Sequence, residues 1–287
     1  MGVDMKKKFK LLNDTFIHLD NDNKGYIVHR KESKYLEWVH CGVGQQQKTF
    51  DTLEESDETF YVDKFLPIGL QDKKSSKKYG VILESHWIAQ PVIDHLKENF
   101  DEYMNCYDKI FTWSEELCDM HENIHWIPGY GSYIMKPDIY PKNKLVSIIC
   151  SMQTWLPGHR DRLAMVEQLE PYAPWFGRGR GDMELKEKED GLCDYMFSVA
   201  IENSNQYFSE KLLDCFLTGT IPIYYGTPSV GNWFNTDGMI ILEDGFDIES
   251  LTEEMYYSKM DAIKDNFERA LKMEIVEDFI WENYFNV

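Results

Sequence analysis

The side chains best able to bind ligands or to take part in a reaction lie together at residues 202–211, in the sequence ENSNQYFSEK. This segment supplies carboxylates, an amide, hydroxyls and one ammonium group, which are the groups that bind polar and anionic ligands. An acid beside a lysine at a helix start is also common as plain capping and solvation, because acids stabilise first turns. The elements on either side therefore decide what the segment does.

Those flanking elements form a β-α-β unit. Residues 195–201 (YMFSVAI) alternate and then run apolar, as a buried strand does, and residues 220–225 give a second apolar strand. Between them, Ser209 is a helix N-cap residue, and Gly219 stands where a C-terminal glycine belongs. The apolar residues of this helix share one face: Leu212, Leu213, Phe216 and Leu217. Such units bind ligands outside the carboxyl ends of their strands, so residues 202–211 are predicted to form a binding site.

Length and composition indicate a globular protein of two domains. The chain has 287 residues, of which 43% are hydrophobic. This length exceeds that of most domains with one hydrophobic core and is sufficient for two domains. Its formal net charge of −20 argues against nucleic acid as a partner, because phosphate backbones require a positive field. An anionic substrate would therefore need a local cluster of Arg and Lys.

The sequence predicts a soluble cytoplasmic protein. No apolar run reaches the roughly 18 residues that a membrane span needs. The basic N-terminal residues are followed by no apolar h-region, so they do not form a signal peptide. The six cysteines are far apart and include no CxxC pair, which favours reduced thiols over a metal site.

Residues 1–78 give the weakest pattern. Asp20, Asp22 and Gly25 match the start of a calcium loop, but Lys24 and Lys31 occupy positions where oxygen ligands belong. The same acids also resemble a short metal-binding DxD motif. A plain turn is the favoured interpretation, since Asn, Asp and Gly are strong turn formers.

From residue 79 onward, strands and helices alternate twice. The first series is predicted to have strands at 79–83, 107–112 and 124–127, and helices at 91–100 and 114–121. The second is predicted to have strands at 145–150, 195–201, 220–225 and 239–242, and a short strand that runs into a glycine-rich turn over 173–181. Its helices are predicted to begin with residues 162–169 and to continue from about 248 to the end. Alternation of this kind predicts parallel sheets covered by helices. We therefore expect two α/β domains, residues 1–140 and 141–287, joined through a proline-containing linker at 136–143.

The central segment, residues 197–234, resembles the signature of the α-1,3-fucosyltransferase family and its viral and phage relatives. The matching elements are ENS at 202–204, YFSEK at 207–211 and GTIPIYYG at 219–226. Residues 147–169 resemble the family's strand, Ser-containing loop and Arg-bearing helix. The resemblance implies a GT-B fold, in which two Rossmann-like domains face each other across a cleft. It also implies an inverting, metal-independent reaction, with the nucleotide sugar held by the C-terminal domain and the acceptor by the N-terminal domain.

The resemblance further implies a set of donor-binding residues. They are Arg162, Glu202, Asn203, Tyr207, Glu210 and Lys211. Lys211 would hold the leaving diphosphate, because fixed cations must take up its new negative charge in a metal-free reaction. Arg162 best matches the family's diphosphate-binding arginine, with Arg160 as the alternative. Glu210 would bond the ribose hydroxyls, Tyr207 would lie near the donor, and Glu202 and Asn203 would shape the pocket.

The acceptor hydroxyl needs a base on the side opposite the leaving group, and Glu84 is the candidate. It follows the strand at 79–83, and the family's base is also a Glu just after a strand of that domain. The local residues here are Leu83-Glu84-Ser85 and not Gly-Glu-Asn. His86 is the alternative, since an imidazole also serves as a base.

The resulting hypothesis is an inverting glycosyltransferase with no required cofactor and no bound metal, acting on a hydroxyl of a glycan or glycoprotein acceptor. GDP-fucose is the donor that the resemblance implies, and UDP-xylose is the alternative. A different class of function, a non-catalytic carbohydrate- or nucleotide-binding module, would keep the fold alone. A calcium-sensing role through residues 20–31 is a third hypothesis.

Overall fold

The computed structural model describes residues 6–12, 31–40, 53–55, 57–243 and 245–286. The chain divides into two compact units. The first contains Met1–Tyr130 and Ile275–Val287, and the second contains Gly131–Glu274. Each described unit has its own parallel sheet and its own covering helices.

The first unit is built on a six-stranded parallel sheet. Its strands are β1 Lys7–Leu12, β2 Leu36–His40, β3 Glu58–Val62, β4 Lys77–Ile82, β5 Lys109–Thr112 and β6 Ile124–Trp126. They lie in the order β2-β1-β3-β4-β5-β6. The first helices are α1 Leu66–Gly69, α2 His86–Glu98, α3 Phe100–Cys106 and α4 Glu115–Cys118. Buried rings hold the sheet together, with the Phe60 centroid 5.0 Å from that of Phe9 and 4.7 Å from that of Tyr79.

The second unit is built on a five-stranded parallel sheet. Its strands are β7 Lys144–Ile149, β8 Trp175–Phe176, β9 Tyr195–Ile201, β10 Ile221–Tyr225 and β11 Ile240–Ile241. Its helices are α5 Pro157–Leu169, α6 Glu210–Phe216, α7 Glu253–Ser258 and α8 Met260–Leu271. The strand order is β8-β7-β9-β10-β11. The chain thus leaves β7 in one direction and β9 in the other, and ligands bind at such topological switch points.

The core of the second unit lies along β9, whose seven residues are all buried. The turn after α6 depends on Gly219, which has a φ of 68°. A Cβ atom there would lie 2.8 Å from Cγ2 of Ile139, so both the backbone conformation and the close approach require glycine. This turn lets β10 pair with β9 directly after the helix.

The last helix, α9 Val276–Tyr284, belongs to the first unit. Its Asp278 accepts a hydrogen bond of 2.5 Å from Ser33, and the hydroxyl of Tyr284 bonds the carbonyl of Trp126. The observed division at residues 130 and 131 lies about ten residues before the expected boundary at 140, and residues 275–286 pack with the opposite unit from the one expected. Helix periodicity carries no information about which sheet a terminal helix covers.

The predicted α/β class with two Rossmann-like domains is confirmed, and this is the domain composition of the GT-B fold. Every strand predicted from residue 79 onward is present, but β1, β2 and β3 were missed. Helix α5 begins at Pro157, five residues before the predicted start, because proline at the first helical position is itself a start signal. The calcium-loop residues Asp20, Asp22, Lys24 and Gly25 lie outside the described residues.

Two further predictions concern the whole chain. Among the described residues, no helix is both long enough and apolar enough to cross a lipid bilayer. Five of the six cysteines are described, and their thiols are free: Cys106, Cys118, Cys150, Cys193 and Cys215.

Candidate functional site

A cavity of about 440 Å³ opens at the switch point of the second unit. Its walls come from the carboxyl ends of β7 and β8, the loop after β9, and the first residues of α5 and α6. Four predicted donor-binding residues line it: Arg162, Asn203, Glu210 and Lys211. Residues far apart in the sequence are therefore gathered where the fold predicts a ligand.

The cavity is locally cationic although the chain is acidic. Its basic lining residues are Arg162, Arg178, Lys186, Lys188 and Lys211, and its acidic ones are Glu184, Glu187 and Glu210. In the whole chain, by contrast, 50 Asp and Glu outnumber 30 Lys and Arg. A reversal of the charge balance inside a cleft favours an anionic ligand.

Lys211 is the most heavily bonded cation of the site. Its Nζ donates to Oε2 of Glu202 at 3.1 Å, to Oγ of Ser209 at 2.9 Å and to Oε1 of Glu210 at 3.0 Å. Burial alone would lower the pKa of Lys211, but the two carboxylates outweigh it and raise the pKa. The ammonium group therefore stays charged, with its three donors engaged.

Glu202 supports this arrangement from below the surface, with only 2% of its area exposed. Its Oε1 accepts from the backbone N–H of Ser209 at 2.7 Å. Burial raises the pKa of Glu202, while Lys211 opposes that rise. Glu202 thus pairs with the cation at the start of α6, where Ser209 is the N-cap.

Arg162 joins the two sides of the switch point. It is 5% exposed, and it donates through Nη1 to Oδ1 of Asn203 at 2.6 Å and through Nη2 to Oγ of Ser151 at 3.1 Å. Its Nε is buried and has no hydrogen-bond partner in the described part of the chain. Arg160, the alternative, is exposed and donates to the carbonyl of Thr154 at 3.0 Å. Of the two arginines, only Arg162 lines the cavity.

The cavity wall at β8 depends on Gly177. Its φ is 150°, and a Cβ atom there would lie 2.1 Å from the carbonyl oxygen of Cys150. Glycine is therefore required where the end of β8 approaches the end of β7. The next residue, Arg178, is thereby placed on the cavity wall.

Several lining residues were missed by sequence reasoning. No sequence motif pointed to Lys186 or Lys188, yet both line the cavity. Nζ of Lys188 lies 5.5 Å from the ring centroid of Tyr133, another lining residue. Their sequence contains no periodic signal, because their position is set by contacts with distant residues.

One such contact is Asp214 on α6, which is 1% exposed. Its Oδ1 accepts from Oγ of Ser132 and from the backbone N–H of Tyr133, both at 2.8 Å. Nζ of Lys188 lies 3.7 Å from Oδ2. Burial raises the pKa of Asp214 to about 6. A single buried carboxyl group thus ties together two segments that line the cavity.

His159 is a second missed residue. It is 3% exposed, lines the cavity, and packs edge-to-face against Trp155 with centroids 4.9 Å apart. Burial, together with the nearby cations Arg162 and Lys211, lowers the pKa of His159 to about 4. Pro157 could have revealed it, because a helix starting there places His159 and Arg162 on one face.

Tyr207 is placed differently from the other predicted donor residues. It is 3% exposed and is not among the residues that line the cavity. Burial, followed by the charge of Glu202, raises its pKa. Its contact with a donor stays a prediction.

The predicted base, Glu84, lies in the first unit at the carboxyl end of β4. It is 7% exposed, and its Oε2 accepts a hydrogen bond of 3.2 Å from the hydroxyl of Tyr130. Its backbone N–H donates to Oδ1 of Asp63 at 3.0 Å. Asp63 has a φ of 49°, a conformation that non-glycine residues seldom adopt. His86, the alternative base, is the first residue of α2 and is half-buried.

Comparisons with known proteins support the resemblance seen in the signature. The chain is 33% identical over 94 residues to the α-(1,3)-fucosyltransferase FucT of Helicobacter pylori, which covers 31% of this chain and 20% of that protein. It is 35% identical over 72 residues to α-(1,3)-fucosyltransferase B of Drosophila melanogaster, and this match covers 24% of this chain and 16% of that protein. The chain thus matches a fifth or less of the length of these relatives. No protein-family model matches it.

Among solved structures, an α1,3-fucosyltransferase with GDP aligns with 96% of this chain and 83% of its own, at 16% identity and a TM-score of 0.48. The similarity to fucosyltransferases therefore rests on the sequence matches. The predicted resemblance to α-1,3-fucosyltransferases is confirmed, at modest identity and over about a third of the chain.

Proposed function

Because the chain resembles fucosyltransferases in sequence, we propose that it is a glycosyltransferase that moves a sugar from a nucleotide sugar to a hydroxyl of a glycan acceptor. One observation supports this proposal most strongly. A cationic cavity lies at the switch point of a strongly acidic protein, and it gathers Arg162, Asn203, Glu210 and Lys211. A nucleoside diphosphate sugar has the charge and the hydroxyls that these groups bind.

Donor binding would rearrange the ion pairs around Lys211. We propose that the diphosphate lies between Arg162 and Lys211, and that it replaces Glu210 as a partner of the Lys211 ammonium group. Glu210 is then free to accept hydrogen bonds from the ribose hydroxyls. Glu202 stays bonded to Lys211 and Ser209 and keeps the ammonium group in place. The cations are therefore already positioned for the charge that develops on the leaving oxygen.

The chemical step proposed is an inverting displacement without a metal. The base removes the proton of the acceptor hydroxyl while the hydroxyl oxygen attacks the anomeric carbon. The bond between that carbon and the diphosphate oxygen breaks, and the nucleoside diphosphate leaves with the bonding electrons. Glu84 of the first unit is assigned this role, with His86 as the alternative. Glu202 of the second unit stays paired with Lys211 and Glu210 is assigned to the ribose hydroxyls, which is why the base is sought elsewhere.

GDP-fucose is the proposed donor, since the matched relatives are fucosyltransferases. UDP-xylose is the alternative, because a diphosphate site does not distinguish purine from pyrimidine. A non-catalytic nucleotide- or carbohydrate-binding module would use the same cavity without transfer. A transfer assay separates these outcomes.

The test is a thermal-shift screen with GDP-fucose, UDP-xylose and other nucleotide sugars. A ligand at about 100 times its Kd stabilises a protein by roughly 2.7 kcal/mol, which raises the Tm by several degrees. The Arg162→Gln variant should lose this shift. The matched variant Arg160→Gln, which changes an exposed arginine two residues away, should keep it.

An unchanged Tm with every nucleotide sugar would contradict the donor site. A Tm shift without sugar transfer to any glycan acceptor would favour the binding module. Loss of transfer in EDTA that Mn²⁺ restores would contradict the metal-free step.

A further inference from the structure

His159 presents a buried nitrogen that nothing in the described structure uses. The side chain is 3% exposed, and Nδ1 is buried without a hydrogen-bond partner. Buried polar groups are nearly always hydrogen-bonded, so each exception requires an explanation. Here the nitrogen belongs to a residue that lines the cavity, which makes a bound ligand the natural missing partner.

The position of His159 relative to the cations identifies the ligand group. His159 and Arg162 are three residues apart on α5, so their side chains are neighbours on one helix face. Lys211 reaches the same cavity from the start of α6. The charged groups that act on the imidazole are thus Arg162 from its own helix and Lys211 from α6. An anion bound between these two cations lies beside the imidazole.

We propose that His159 is a third contact to the donor diphosphate, and that its imidazole takes up one proton from solvent as the diphosphate binds and donates Nδ1–H to a phosphate oxygen. This inference rests on the proposed function of the cavity. In the unliganded protein, burial and the two cations keep the imidazole neutral. A diphosphate reverses the sign of the local field and favours the imidazolium form. No covalent bond is made or broken at His159.

Proton uptake would matter most when the sugar departs. The leaving diphosphate carries more negative charge than the diphosphate of the intact donor. An imidazolium group beside it supplies a fixed positive charge and a charge-assisted hydrogen bond. His159 is therefore expected to help the leaving group as well as the binding of the donor.

The experiment is calorimetric titration of the whole chain with GDP-fucose or UDP-xylose at pH 6, in two buffers that differ in ionisation enthalpy. A nucleotide sugar is the correct probe, because its diphosphate has no ionisation near pH 6, unlike that of free GDP. The wild type should take up about one proton per donor bound. His159→Leu should take up none and bind about tenfold more weakly.

His159→Asn is the informative second variant, because its amide N–H stands near the position of Nδ1 but does not titrate. It should recover most of the affinity without the proton uptake. Arg160→Gln, on the next residue, should behave as the wild type does, and the Tm of each variant shows that it is folded. Equal proton uptake in the wild type and in folded His159→Leu would overturn the role of His159 but not the proposed function of the cavity. Absence of binding by the wild type to any nucleotide sugar or to pyrophosphate would overturn the proposed function and this inference together.

Discussion

At the scale of single residues, the site combines ionisable groups whose environments shift their pKa values in opposite directions. Burial raises the pKa of Asp214 to about 6, and burial with two nearby cations lowers that of His159 to about 4. Both groups therefore titrate differently in the folded and unfolded states between pH 4 and 6.5. Their effects on stability have opposite signs, so only variants of each residue separate them.

The Asp214→Asn variant tests the first of these groups. The folded protein holds a proton on Asp214 between pH 3.8 and 6 that the unfolded chain releases, so its contribution to stability is lost as the pH rises through this window. A shift of this size corresponds to about 3 kcal/mol. Relative to the wild type, the variant should gain up to about this much unfolding free energy between pH 4 and 7, measured by urea denaturation.

Asn is a suitable replacement because its Oδ1 still accepts from Ser132 and from the N–H of Tyr133. The outcome that contradicts the prediction is a constant difference in unfolding free energy between variant and wild type across this pH range.

At the scale of elements, the β9-α6-β10 unit is held by polar groups as well as by its apolar core. Lys142 is 9% exposed. Its Nζ donates to the carbonyl of Thr218 at 2.7 Å and to Oγ1 of Thr220 at 2.9 Å. It also donates to the carbonyls of Leu192 and Cys193. The segment expected to be a linker is thereby joined to the turn that follows α6.

The Lys142→Met variant should lower the unfolding free energy by about 3 kcal/mol, because it leaves several buried oxygens without a donor. Lys144→Met is the matched control. Lys144 forms an exposed ion pair of 2.9 Å with Asp194, which solvent screens, so its loss should destabilise the protein much less. Similar losses in the two variants, measured by denaturant unfolding, would show that the buried ammonium group does not hold these segments.

At the scale of the whole molecule, the proposed reaction divides its chemistry between the two units. The residues assigned to the donor lie in the second unit, and the assigned base, Glu84, lies in the first. The two functions should therefore be separable by mutation. This separation is what distinguishes the proposed enzyme from a module that only binds nucleotide sugars.

The Glu84→Gln variant should keep the donor Kd of the wild type and lose transfer by about 10²–10⁴-fold, because a base contributes that much to rate. Gln still accepts the hydrogen bond from Tyr130, so the local structure should be kept. Calorimetry measures the first quantity, and a transfer assay with a glycan acceptor measures the second. Wild-type transfer by this variant would move the assignment to His86.

The sequence by itself determined the α/β class and the central unit, because buried strands and a capped helix have local signatures. Ser209 as N-cap and Gly219 after the helix were both predicted, and both are seen in the structure. Strands β1, β2 and β3 were missed, since each is only five or six residues long and mixes charged with apolar side chains. The N-terminus of α5 was placed too late for His159 to be noticed.

Only the tertiary structure decided which polar residues share a site. Glu202 and Arg162 are both buried charges, yet one supports Lys211 from the interior and the other lines the cavity. Loops such as 184–188 carry no periodicity, and their place is set by buried contacts such as that of Asp214 with Lys188. The physical reason is that local patterns encode which face of an element is buried, whereas charges converge through the order of the strands, which no local pattern encodes.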